Sequence, residues 1–115
     1  MSPIDVTVTL ATVAANGFIA ACDLTRAPFV LANSAGVGVP RSWLTPLGLL
    51  KGAGAAGLLL GLLGVPLVGV AAGVGLTLFF VGAIVTHLRA RNYDLAFPAL
   101  YLVLAVASLI AAAAR

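Results

Sequence analysis

Four stretches of the chain stay apolar long enough to cross a bilayer, and most charged residues collect between them. They cover residues 4–22, 43–63, 66–88 and 95–114. Each is close to the ~20 apolar residues that a helix needs to span the hydrocarbon. The first is alanine-rich and carries Thr7, Thr9, Thr12 and Asn16. Threonine hydroxyls bond back to helix carbonyls, so a membrane tolerates them. Asp5 falls in the first turn, where a carboxylate suits the helix dipole. Residues 23–42 are polar at both ends, with Asp23, Arg26 and Arg41, and are broken by Pro28, Gly36, Gly38 and Pro40. That segment is too short to cross twice. It reads as an interfacial or re-entrant loop with a short helix near residues 29–33. Thr45-Pro46 reads as an N-cap followed by a first-turn proline, and Trp43 as an interfacial aromatic. Gly64-Val65-Pro66 predicts a tight turn, and residues 89–94 a polar loop.

Connections of about 20, 3 and 6 residues between these spans predict an all-α fold. It is an integral membrane four-helix bundle, up-down-up-down, forming one transmembrane domain over residues 1–115. Both termini then share one end. The first and third loops carry Arg26, Arg41, Arg89 and Arg91, against Arg115 at the terminal end. The positive-inside rule puts those loops in the cytoplasm and both termini outside a cell membrane. No internal repeat is visible.

Composition agrees. The chain is 63% hydrophobic and 8% charged, with mean hydropathy +1.21, and a soluble domain of 115 residues could not bury so much apolar surface. The formal charge of +3 reports orientation, and no nucleic-acid partner is expected. Cys22 is the only cysteine, so no intramolecular disulfide can form, and a lone buried thiol is usually inert. The first apolar run lacks a basic leading region, and Ala20-Ala21-Cys22 is not followed by a soluble domain. It reads as a span and not a cleaved signal.

Glycines recur at Gly48/Gly52, Gly57/Gly61 and Gly69/Gly73. Four residues is about one helical turn, so each pair clears a notch where a neighbouring backbone can approach. In the second span Gly48, Gly52 and Ala55 fall on one side, and Gly54, Gly57, Gly61 and Gly64 nearly opposite. The notches either build the bundle or form a homo-oligomer face.

Polar residues cluster at one depth. Asn16, Lys51, His87 and Tyr101, one per span, lie within ~12 Å of the loop-side boundary at 1.5 Å per residue. Cys22, Asp23, Arg89 and Asp94 lie just beyond. This layer predicts a cavity open to the loop side, with Asn16, Lys51, His87 and Tyr101 as ligand contacts and Asp23, Arg89 and Asp94 as charge partners. Each residue also has a plainer reading. Lys51 shares a stripe with Leu44, Leu47, Leu58 and Leu62, so it either snorkels toward the headgroups or turns inward to Asp23, Asp94 or a ligand. His87 suits a helix C-terminus. Asn16 and Tyr101 suit interhelical hydrogen bonds, and Arg89 and Arg91 set topology. No second histidine or cysteine pair supports a metal site. No catalytic motif is present: there is no Gly-x-Ser-x-Gly, phosphate loop or Cys-x-x-Cys.

The stretches "GVPRSWLTPLGLLKGAGAAGLLLG" (Gly38–Gly61) and "THLRARNYDLAFPALYLVLAVASL" (Thr86–Leu109) resemble the DoxX-like family of small, mostly bacterial, four-span membrane proteins. Val39-Pro40, Trp43, Leu47-Gly48, Ala55-Ala56, His87-Leu88-Arg89 and Pro98 carry the likeness. Many members have a glutamate where Lys51 stands. A pocket here would therefore favour an anionic group or use Asp23 or Asp94 as partner. The resemblance implies a four-helix membrane fold and leaves function open. The leading expectation is a non-enzymatic accessory protein binding a small hydrophobic or amphipathic ligand or a membrane protein partner. The alternative is a membrane subunit of a quinone- and thiol-linked oxidoreductase, with His87 on a quinone carbonyl and Cys22 in thiol chemistry. A purely structural homo-oligomer is the third. A transporter fits less well, because the opposite half of the membrane has no polar continuation.

Overall fold

The computed structural model describes residues 2–114; Arg115, counted above at the terminal end, lies outside them. The helices are α1 (Pro3–Leu24), α2 (Pro28–Gly36), α3 (Leu44–Leu62), α4 (Pro66–Arg89) and α5 (Ala96–Ala113), with a 3-10 turn at Arg41–Trp43 before α3. No strand occurs among the described residues. The long helices α1, α3, α4 and α5 are apolar enough to cross a membrane, and the molecule is 40 Å long, close to the ~40–45 Å of a bilayer with its headgroups. Its outside is greasy: Ile4, Leu63, Leu67, Leu78 and Ile110 are all largely exposed. Such a surface needs lipid around it.

The helices form a ring in which α1 packs on α3 and α5, and α4 packs on α3 and α5. Contacts alternate in direction. Gly48 and Gly52 of α3 face Asp23 and Ala20 of α1, in reverse order. Gly54 and Gly57 face Leu76 and Ala72 of α4, again reversed. Thr12 and Ala15 of α1 bond to Ser108 and Tyr101 of α5. The bundle is therefore up-down-up-down, and the two glycine faces of α3 meet two different helices of the same chain.

Local chemistry explains the element ends. Ser2 Oγ accepts from the Asp5 N–H at 3.1 Å, with Pro3 opening the helix, which satisfies a donor that the first turn leaves free. Four helix ends close the same way. The amides of Ala27, Val39, Val65 and Asn92 each reach back to the carbonyl five residues earlier, at Cys22, Ser34, Leu60 and His87. The residue before each of these amides is left-handed: Arg26 (φ 53), Gly38 (φ 73), Gly64 (φ 118) and Arg91 (φ 54). This is the Schellman closure. Glycine takes it freely; arginine does so only where the bonds around it hold it.

Two expectations change. The short helix in the first loop is longer than residues 29–33, because Pro28 starts it and the Gly38 turn ends it. Thr45 is not an N-cap. The chain arrives already turning through Arg41–Trp43, α3 starts at Leu44, and no side chain caps it. Pro46 still fits, since first-turn amides lack intrahelical partners.

The interior divides by depth. Near the terminal end it is small and hydroxylic: Thr9, Thr12 and Ser108 are fully buried, and Thr12 Oγ1 lies 2.7 Å from Ser108 Oγ. Toward the loop end it is large and aromatic, with Phe80 and Tyr101 in the core. α2 lies over that end with Val30 and Ser34 turned inward.

Candidate ligand cavity at the loop end

Gly48 sets up the central contact. A Cβ there would stand 2.9 Å from Asp23 Cβ and 3.2 Å from the Ala20 carbonyl. Its absence lets the last turn of α1 lie against α3. Asp23 then faces Lys51, one turn further along α3, and Lys51 Nζ meets Asp23 Oδ2 at 2.7 Å. The side chains are 12% and 4% exposed. Lys51 thus turns inward and does not snorkel. Its ammonium also lies 5.2 Å from the Phe79 ring centroid, in cation–π range.

The pair sits in the wall of a cavity of about 410 Å³, within the usual size range of small-molecule sites. An aromatic series forms much of the wall. Phe79 and Phe80 meet edge to face at 5.0 Å, Phe80 and Tyr101 at 5.3 Å, and Tyr101 and Phe97 stack at 5.7 Å. Phe29 of α2, outside the wall, stacks on Phe97 at 6.5 Å. Val30 and Ser34 of α2 contribute the roof, and Trp43 one edge. Sequence reasoning found Tyr101 and missed the phenylalanines. The depth arithmetic that grouped Lys51, His87 and Tyr101 also places Phe80 and Phe97 within the same ~12 Å layer, with Phe79 one residue deeper, so the signal was available.

Lys51, His87 and Tyr101 all line the cavity, joined by Asp23. Asn16 stands apart. It is completely buried and outside the wall; its Nδ2 donates to the Thr12 carbonyl at 3.1 Å, and its Oδ1 has no partner among the described residues. Tyr101 presents its ring, since its hydroxyl donates to the Ala15 carbonyl at 3.1 Å. The His87 Nδ1–H donates to the Ala83 carbonyl at 2.9 Å. A carbonyl can only accept, so Nδ1 carries the proton and Nε2 is left for other partners. Asp94 does not reach Lys51. It is exposed, its amide donates to Asn92 Oδ1 at 3.1 Å, and it borders a separate recess of about 40 Å³ with His87 and Asn92. Arg89 is exposed, and Lys51–Asp23 is the one salt bridge among the described residues. Cys22 is half-buried, free and outside the wall. No cluster of three metal-binding side chains occurs among the described residues.

The cavity therefore offers apolar rings, a balanced ion pair with spare lysine N–H donors, and one imidazole nitrogen. That suits holding a mostly apolar molecule by a small polar group. Searches of curated proteins and of solved structures give no match. The model of the DoxX-like family matches residues 7–108, which reach into all four spans and include every residue of the cavity wall, and this chain belongs to that family.

Proposed function

We propose that this DoxX-like membrane protein is a non-enzymatic accessory protein that holds a small hydrophobic or amphipathic ligand in the loop-end cavity. One observation carries the reading: a buried Lys51–Asp23 pair at 2.7 Å borders an aromatic-walled space of about 410 Å³. Ionisable groups inside a membrane are costly and usually mark function. The position of Cys22 outside the wall favours binding over the quinone- and thiol-linked redox reading. Native mass spectrometry of protein released from mild detergent should show a retained ligand. Ala83 lines the cavity, so Ala83→Trp should cut occupancy about fivefold or more by filling it. A wild-type protein that flies empty, or full retention in the variant, would sink the reading.

The same proposal places the Arg26, Arg41, Arg89 and Arg91 end in the cytoplasm of a cell membrane, with the termini outside. In a Cys22→Ser background, a membrane-impermeant maleimide applied to intact cells should label Ser2→Cys and spare Tyr93→Cys. The reverse pattern would invert the orientation.

A further inference from the structure

We infer that the occupant is an uncharged single-chain lipid that reaches the cavity sideways from the bilayer, through a window between α3 and α4. This rests on the ligand-binding reading above and adds the ligand's charge and its route.

The charge follows from the pair. Lys51 alone would have drawn an anion. Asp23 holds its ammonium at 2.7 Å, and these two are the charged groups of the cavity wall, so the site is neutral before anything binds. An anionic head would leave water for a space with no net positive charge and would face the Asp23 carboxylate; like charges brought together in such places repel strongly. A hydroxyl or ester head meets no such penalty. Either can accept from a remaining Lys51 N–H, and a hydroxyl can also donate to His87 Nε2.

The route follows from how α3 and α4 diverge. Beyond Lys51 they are pressed together, with Gly54 against Leu76 and Gly57 against Ala72. On the loop side of Lys51 the cavity separates them. Leu47 borders it on α3, and Leu78 and Gly82 on α4. Leu78 is 67% exposed and Gly82 is exposed as well, although both line the cavity. These residues belong to the lipid-facing surface of a span, so the space opens on hydrocarbon. Toward water α2 lies over the cavity with Val30 and Ser34 buried, and only a polar edge at the exposed Asn33 is left. A molecule already dissolved in the bilayer has the direct path, and its chain can stay in the hydrocarbon while its head occupies the cavity.

Gly82 gives a clean test. A Cβ there meets nothing within 4 Å, so a larger side chain extends across the window without disturbing the core. The protein is placed in nanodiscs holding equal amounts of a monoacylglycerol and its glycerol-phosphate counterpart, lysophosphatidic acid of the same chain, and released for native mass spectrometry. The wild type should retain the uncharged lipid about tenfold over the phosphorylated one. Gly82→Phe should lower that retention about fivefold with an unchanged melting temperature. Asp23→Asn frees the Lys51 charge and should reverse the preference. Equal or better retention of the phosphorylated lipid by the wild type overturns the charge assignment, and undiminished retention by Gly82→Phe overturns the route. If Asp23→Asn does not fold, the other two measurements decide. Retention of some other amphiphile with neither lipid bound would defeat this inference and leave the ligand-binding reading standing; an empty wild-type cavity would defeat both.

Discussion

Lys51→Met is expected to destabilise the bundle by about 3–5 kcal/mol, and Lys51→Met with Asp23→Leu to recover most of that loss. The asymmetry comes from what each change leaves behind. Removing the lysine strands a carboxylate that is 4% exposed on the last turn of α1, pressed against α3, with no other cationic side chain in the cavity wall to pair with it. Removing both charges leaves two apolar side chains of similar bulk in an apolar layer, and such replacements of buried pairs are often neutral or stabilising. Asp23→Asn should cost less than Lys51→Met. The remaining ammonium stays in the cavity wall, 5.2 Å from the Phe79 ring centroid, and the new carboxamide oxygen can still accept from it. Unfolding midpoints in a mixed-micelle titration, or steric trapping in bicelles, would rank the three variants. A double variant no more stable than Lys51→Met would mean that lost volume, and not an orphaned charge, sets the cost.

That pair also shows where sequence reading ran out. Run length and hydropathy sufficed for the four spans, because a bilayer imposes one length on every crossing. Helical periodicity alone put Gly48 and Gly52 opposite Gly54 and Gly57, and these face α1 and α4; Gly64, grouped with the second set, lies past the end of α3 in the left-handed turn. The direction of Lys51 did not. Its stripe of Leu44, Leu47, Leu58 and Leu62 fits lipid as well as core, and the choice depends on Gly48 admitting α1 until Asp23 comes within reach. No local pattern encodes a contact between residues 28 positions apart. Thr45-Pro46 failed for a related reason: its cap signal is sound in isolation, but the Arg41–Trp43 turn delivers the chain already helical. The left-handed Arg26 and Arg91 carry no sequence mark, since arginine has no preference for positive φ and the backbone bonds of the helix closure hold it there. Asn16 matched the others in depth but not in direction, and depth arithmetic along one axis cannot separate residues that point to different sides of a bundle.

Gly48→Leu is expected to cost about 3 kcal/mol or more, the upper range for overpacking a close contact. The nearest atoms at Gly48 decide this. They include the Ala20 carbonyl at 3.2 Å and Asp23 Cβ at 2.9 Å, which belong to or sit directly on the α1 backbone, so relief requires the helices to part. Gly54 looks tighter on distance alone, with Leu76 Cδ2 at 2.5 Å and Cγ at 2.6 Å from its virtual Cβ; the buried Leu76 side chain must turn as a whole to clear it, but no backbone has to part. Gly52 has only ordinary contact, with Ala20 Cβ at 3.7 Å. For alanine substitutions the cost should therefore rise in the order Gly52, Gly54, Gly48, which the distance to the nearest atom does not give. Parting α1 from α3 also separates Asp23 from Lys51. In a Gly48→Leu background, Lys51→Met should lose much of its own effect, and the double-mutant cycle should show strong coupling between two residues on one helix whose side chains meet only through α1. Additive costs would show that the ion pair survives the separation, and Gly48 would then serve packing alone. Coupling would make this glycine the residue that brings the charges together, and so the one that keeps the cavity neutral.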